Sequence, residues 1–165
     1  MACHRTVSVA VVSLLVLLVL PAGAREPATD RCRTLRARVV TLSVSPTEQQ
    51  GTVLFTGRPI AGYRVASLVG RITGATSDGD VTLDHSMVFT HPRRPVARVT
   101  TRGDVAVLTP TADPCVFDVV EDMHFATATP PFDAYDLQAS DGEARGTIDL
   151  CSGENRFDVR VTLCR

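Results

Sequence analysis

Lysine is absent from this chain, and its strong cations are all arginine, 17 against 18 Asp plus Glu, with four histidines besides. No folding requirement accounts for that, and a codon bias toward arginine is the plainest reading. The near balance of charge, with no long basic run, excludes a nucleic-acid surface and a grip on a membrane surface. There is no Cys-x-x-Cys pair, which removes the zinc-ribbon and thioredoxin-like readings. Nor is there a Gly-x-Ser-x-Gly elbow of the kind a serine hydrolase needs. No stretch keeps a helical period over three turns, no internal repeat is present, and no cofactor motif is found, so no cofactor is expected.

Long apolar runs are also missing. The longest, Val7 to Leu20, has fourteen residues including Ser8 and Ser13, short of the roughly 18 that a membrane span requires. It follows a short basic region with His4 and Arg5 and precedes Pro21 and Ala22-Gly23-Ala24, the pattern of a secretory signal peptide. Cleavage after Ala24 would leave no membrane anchor and a secreted or periplasmic product. A polar lead-in over 25–34 and a single domain over 35–165 would follow, large enough to fold alone.

Beyond Ala24 four cysteines remain, Cys32, Cys115, Cys151 and Cys164. An even number in an exported chain implies two disulfides.

Strand periodicity dominates the remainder. Ile148 and Leu150 alternate with polar residues, Ser152-Gly153-Glu154-Asn155 supplies a turn, and Phe157, Val159, Val161 and Leu163 alternate again. With the turn centred on Gly153-Glu154, Leu150 would face Phe157, Ile148 would face Val159 and Ala144 would face Leu163. Val81, Leu83, His85, Met87 and Phe89 share one side of a strand opened by the Asp78-Gly79 turn. In the first strand Arg36 and Arg38 share the parity of Val40 and Leu42, which suggests a bulge near Val39-Val40. Ser45-Pro46-Thr47-Glu48 matches a helix start that Gly51 would end within about a turn. Arg102-Gly103-Asp104 reads as a tight turn between two strands, and the pattern fades between Thr127 and Glu143. Strands joined by short turns predict an all-β fold, an antiparallel meander of about eight strands that closes into a barrel, with a β-sandwich as the alternative.

The cysteine pairing follows from that geometry. In the hairpin register above, Cys151 and Cys164 lie far apart along the strands, whereas a disulfide needs Cα atoms within about 7 Å. A closed even-stranded barrel sets the start of its first strand beside the end of its last, which favours Cys32 with Cys164 and Cys115 with Cys151.

From Arg71 onward, the stretch Gly74 to Phe89, then Phe132-Asp133-Ala134, then Gly146-Thr147-Ile148-Asp149-Leu150, resembles exported bacterial proteins of the allene oxide cyclase and dirigent barrel class. That resemblance implies an eight-stranded antiparallel barrel whose inside can hold a small apolar molecule, the one partner expected. Those families carry glycines before the phenylalanine, where this chain has Thr127-Ala128-Thr129-Pro130-Pro131. No catalytic residue is carried over, and oligomeric state is left open.

Few residues could carry chemistry. Asp84, His85 and Ser86 are the side chains of a hydrolase triad, but neighbours on a strand point to opposite faces. His85 and Met87 share a face and offer an imidazole and a thioether, suited to copper in an oxidising compartment, with Met123 and His124 as a second pair of opposite parity. Glu121 shares the parity of Phe117, Val119, Met123 and Phe125, and a carboxylate on a dry face must be paired, protonated or wet. An ion pair with Arg71 or Arg98, or a bulge that turns it outward, is the expected reading. The alternative is a pocket carboxyl with raised pKa, with Tyr63 as its companion in a cyclase- or isomerase-like site.

Overall fold

The computed structural model describes residues 32–165. The segment expected to be a signal peptide and most of the expected polar lead-in lie outside the described residues. Among the described residues nine antiparallel strands form: β1 Arg33–Ser45, β2 Glu48–Phe55, β3 Val65–Ala75, β4 Val81–His91, β5 Arg94–Pro110, β6 Val116–Met123, β7 Phe125–Ala128, β8 Asp136–Asp149 and β9 Glu154–Cys164. One 3-10 turn, Phe132–Ala134, precedes β8. Each strand pairs with its sequence neighbours, except that β7 continues the line of β6 along β5 and β6 then pairs with β8. Because β4 also pairs with β5 and β9 with β1, the pairings close into a ring of eight strands. Among the described residues, no helix is long and apolar enough to cross a membrane.

Alternation explains which face turns inward. Leu35, Ala37, Val39 and Thr41 of β1 are buried, while Arg36 and Arg38 point out. No bulge interrupts Val39-Val40, contrary to expectation, so Val40, Leu42 and Val44 share the outer face with the arginines and are about half exposed, at 48%, 55% and 55%. A continuous ladder to both β2 and β9 costs less than a break that would bury three more aliphatic side chains. The expected helix start at Ser45 is instead a tight hairpin turn, with Ser45 paired to Glu48 across Pro46-Thr47. Residues 48–55 have a partner on each side, β1 and β3, and tertiary pairing overrides a one-turn helical signal.

The closing hairpin is correct in face and shifted in register. Ala144 pairs with Val159 and Ile148 with Asn155, so the loop is Leu150–Gly153 and not a turn centred on Gly153-Glu154. Asp149 explains the shift, since its carboxylate accepts hydrogen bonds from the backbone of Cys151 and Ser152 and from the Ser152 hydroxyl, folding the chain before Gly153. Leu150 therefore sits in the loop, 64% exposed. The shift is even-numbered, so the inward set Ala144, Ile148, Phe157, Val159 and Leu163 is unchanged.

Arg102-Gly103-Asp104 is not a turn. β5 runs through it as one strand of 17 residues, and the register against β4 slips by one residue between Thr101 and Asp104. Gly103 takes φ +63°, a conformation glycine adopts without strain. This bulge changes the parity of the strand, so that Ala97, Val99 and Thr101 face inward before it and Asp104 and Ala106 after it.

Two disulfides staple the ring, one joining Cys32 to Cys164 and the other Cys115 to Cys151. The first ties the start of β1 to the end of β9, and the second ties the residue before β6 to the β8–β9 loop. Such bonds persist in oxidising, extracytoplasmic compartments. Inside, a large apolar cluster around Leu35, Val53, Phe89, Val99, Val159 and Leu163 fills one end, and a smaller one around Leu83, Ala106 and Val119 fills the other. Tyr63, Phe89 and Phe132 pack together at the first end, with the Phe89 and Phe132 ring centres 4.7 Å apart.

Candidate functional site

A belt of polar side chains separates the two apolar clusters. Its members sit at matched registers. Asn155 of β9 pairs with Thr41 of β1, Gln49 of β2 pairs with Gly70 of β3, Gly70 pairs with His85 of β4, and His85 pairs with Thr101 of β5. Asn155 donates to Thr41 and Gln49, and Thr41 donates to the Gln49 carbonyl at 2.6 Å. That half is a neutral, mutually satisfied network.

The other half is ionisable. His85 Nδ1 lies 2.8 Å from Asp104 Oδ2 and 3.4 Å from Glu121 Oε1. The Thr101 hydroxyl accepts a hydrogen bond from the His85 backbone N–H and donates one to Asp104 Oδ2. The backbone N–H of His124 donates to Asp104 Oδ1 at 2.7 Å, across the point where β6 gives way to β7. Asp104 is fully buried, and His85 and Glu121 are each 5% exposed. Both carboxylate oxygens of Asp104 are thus engaged. Glu121 Oε1 has no hydrogen-bond partner, and 3.4 Å from an imidazole nitrogen it feels an electrostatic pull without a formed bond.

These surroundings set the protonation states. Burial opposes charge on His85, but its hydrogen bond to Asp104 and the Glu121 and Asp104 charges outweigh burial, so its pKa lies above the ordinary histidine value. Burial drives the Glu121 carboxyl up to about 7; His85 draws it down only partly, and Asp104 and Asp122 add to the rise.

Two cavities meet at this layer. One, of about 70 Å³, lies toward the Phe89 and Phe132 end, and the other, of about 130 Å³, toward the Leu83 and Ile148 end. Glu121, Gln49 and Phe157 line both. The first cavity is walled by aliphatic, aromatic and methionine side chains, with His85, Glu121 and Gln49 as its polar members.

Glu121 does not pair with Arg71 or Arg98. Arg71 bonds Glu48 at 2.9 Å on the outer surface, and burying a guanidinium stem inside so narrow a ring would displace the apolar wall. Its cationic neighbour is His85. His85 and Met87 occupy successive inward positions of β4 and line the first cavity together. Met123 lines it too, while His124 points outward with its side chain 64% exposed. Asp84 and Ser86 lie on the outer face of β4, and Asp84 accepts from the Gly103 backbone, so Asp84, His85 and Ser86 do not converge. Tyr63 is buried beside Phe89 and His91 with its hydroxyl donating to the Pro95 carbonyl, and it is not among the residues lining either cavity.

Sequence reasoning missed Asp104, Thr101, Asn155 and Thr41. The sequence carries no clear signal for Asp104, because Val105 and Val107 continue the odd parity of Val99, and only the bulge at Gly103 moves the inward face to Asp104 and Ala106. Comparison with protein families, with curated proteins and with solved structures finds no match to this chain.

Proposed function

We propose that this chain is an exported, disulfide-stapled β-barrel that binds a small, largely apolar molecule in its interior. The observation that carries the reading is the apolar cavity between the Phe89–Phe132 end and Glu121. Protein interiors are normally filled to crystal-like density, and a space that stays open between well-ordered strands is a departure that a ligand would explain. Export is supported by the Val7 to Leu20 segment and by the pairing of all four later cysteines. Closure as a barrel is supported by the eight-membered ring of pairings and by the resemblance to the allene oxide cyclase and dirigent class.

Size limits the ligand. An engineered cavity of about 150 Å³ accepts benzene, so about 70 Å³ takes only a smaller molecule until side chains move. Met87 and Met123 in the wall are the adaptable ones. NMR titration with an apolar probe smaller than benzene, such as xenon, tests the reading. Ala144→Leu, which adds volume to the cavity wall, should weaken binding at least about tenfold while the fold survives an overpacking cost of about 1–3 kcal/mol. Unchanged affinity in that variant, or no bound probe at saturation, would sink it.

A second reading, a cyclase or isomerase acting on that guest, is favoured by the unpartnered Glu121 oxygen facing the cavity beside a His–Asp pair. Turnover lost in Glu121→Gln with ligand affinity retained would distinguish it from simple binding.

A further inference from the structure

We infer that His85 Nδ1, Asp104 Oδ2 and Glu121 Oε1 form a binding site for one divalent transition-metal ion, Zn²⁺ being the best matched. The three donor atoms lie within 4.8 Å of one another, with separations of 2.8 Å and 3.4 Å from the imidazole nitrogen to the two carboxylates. A zinc ion about 2.1 Å from each of its ligands spaces them roughly 3–4 Å apart. The donors are therefore already gathered at close to the required distances, on three adjacent strands of the rigid ring. Only small side-chain adjustments separate the group from a coordination shell.

Charge supports the same conclusion. Two ionised carboxylates and a neutral imidazole carry a charge of −2 inside an apolar enclosure, and a divalent cation cancels it. Without such a cation Glu121 Oε1 is left buried and without a hydrogen-bond partner. That oxygen is the independent mark of a missing ligand: a carboxylate oxygen nine-tenths buried and aimed at the other two donors is ordinarily satisfied by something.

The supporting shell is built as metal sites require. Thr101 and the backbone N–H of His124 hold the two oxygens of Asp104. The His85 backbone in turn donates to Thr101, fixing the ligand-bearing strands against each other. Gly70 lets the imidazole lie against β3, since a Cβ there would come within 2.8 Å of His85 Cδ2. Donor chemistry selects the metal: two carboxylates and one imidazole are hard to borderline ligands, suited to Zn²⁺ rather than to Cu(I), which prefers thioethers and thiolates. Three protein ligands leave a fourth position open, and Glu121 and His85 both border the first cavity, so that position would face it.

The test uses the disulfide-intact protein stripped with chelator and dialysed. Calorimetric titration with Zn²⁺ should show one ion per chain, and Co²⁺ should give the visible ligand-field absorption of a low-symmetry nitrogen and oxygen site. Glu121→Gln, which keeps shape and loses charge, should weaken Zn²⁺ by more than about tenfold, the loss that even an outer-shell change causes. Asp104→Asn gives a second reading of the same site. Absence of stoichiometric Zn²⁺ and Co²⁺ binding by the unsubstituted protein would overturn the inference, and so would equal affinity in Glu121→Gln, because the ion would then sit on surface carboxylates. Apolar probe binding by the chelated protein is read separately, so failure of the metal site and failure of the cavity reading are distinguishable.

Discussion

Replacing Glu121 with Gln should flatten the dependence of stability on pH. In the unfolded chain this carboxyl titrates near 4.5, and burial raises it to about 7 in the folded protein. A raised carboxyl pKa means that the folded state holds its proton longer than the unfolded state does. Stability is therefore greatest below the unfolded value and falls as pH climbs through the interval between the two. At about 1.4 kcal/mol per pKa unit, the loss between pH 5 and pH 8 is about 2.5 kcal/mol. His85 acts in the same direction: its pKa is raised, so its contribution is complete below 6.5 and fades as pH passes the higher folded value. The surface carboxylates Glu48, Glu143 and Asp149 have lowered pKa values, and their contributions are lost as pH falls from the usual carboxylate value through the lower folded one. A comparison above pH 5 leaves them largely constant. Urea melts of the chelated, disulfide-intact protein at pH 5, 6, 7 and 8 measure the effect. The unsubstituted protein should lose about 2.5 kcal/mol or more across that range, and Glu121→Gln less than about 1 kcal/mol, carried by what remains of His85. A flat or rising curve for the unsubstituted protein, or two parallel curves, would refute the reasoning.

Two further outcomes are expected. Paired Cys→Ser replacement should cost about 5 kcal/mol for Cys32 with Cys164 and about 4 kcal/mol for Cys115 with Cys151, because the loops closed span 132 and 36 residues in sequence. Denaturant midpoints of the two double variants check this, and a larger loss from the shorter loop would contradict the chain-entropy account. Gly70→Ala should destabilise by about 1–3 kcal/mol, since its methyl would come within 2.8 Å of His85 Cδ2 and 2.9 Å of Gln49 Cγ. Gly57→Ala, with nothing within 4 Å of the added carbon, is the matched control, and equal denaturant midpoints for the two would show the belt to be looser than its distances imply.

Period-two alternation was enough to assign the all-β class and the inward face of the strands where it runs unbroken, because a side chain's face on a regular strand depends only on parity. Leu83, Met87, Phe89, Val159 and Leu163 were legible for that reason. So was the inward position of Glu121, whose parity among apolar neighbours marked it as a buried carboxyl before any partner was known. What parity cannot supply is distance between strands remote in sequence. The sequence separations of 19 from His85 to Asp104 and of 36 (121 − 85) from His85 to Glu121 are bridged only by the register of β4 on β5 and of β5 on β6. A one-residue bulge at Gly103, written in sequence as a turn, decides whether Asp104 faces water or His85. The outward Val40, Leu42 and Val44 make the same point in reverse, since hydropathy alone favours burying them and continuous pairing on both sides of β1 holds them outside. Local sequence thus determined which face points inward where the alternation runs unbroken, and the pairing and closure of the ring decided where that parity shifts and which inward residues meet, because the contacts that make the polar belt are set by interstrand hydrogen bonding.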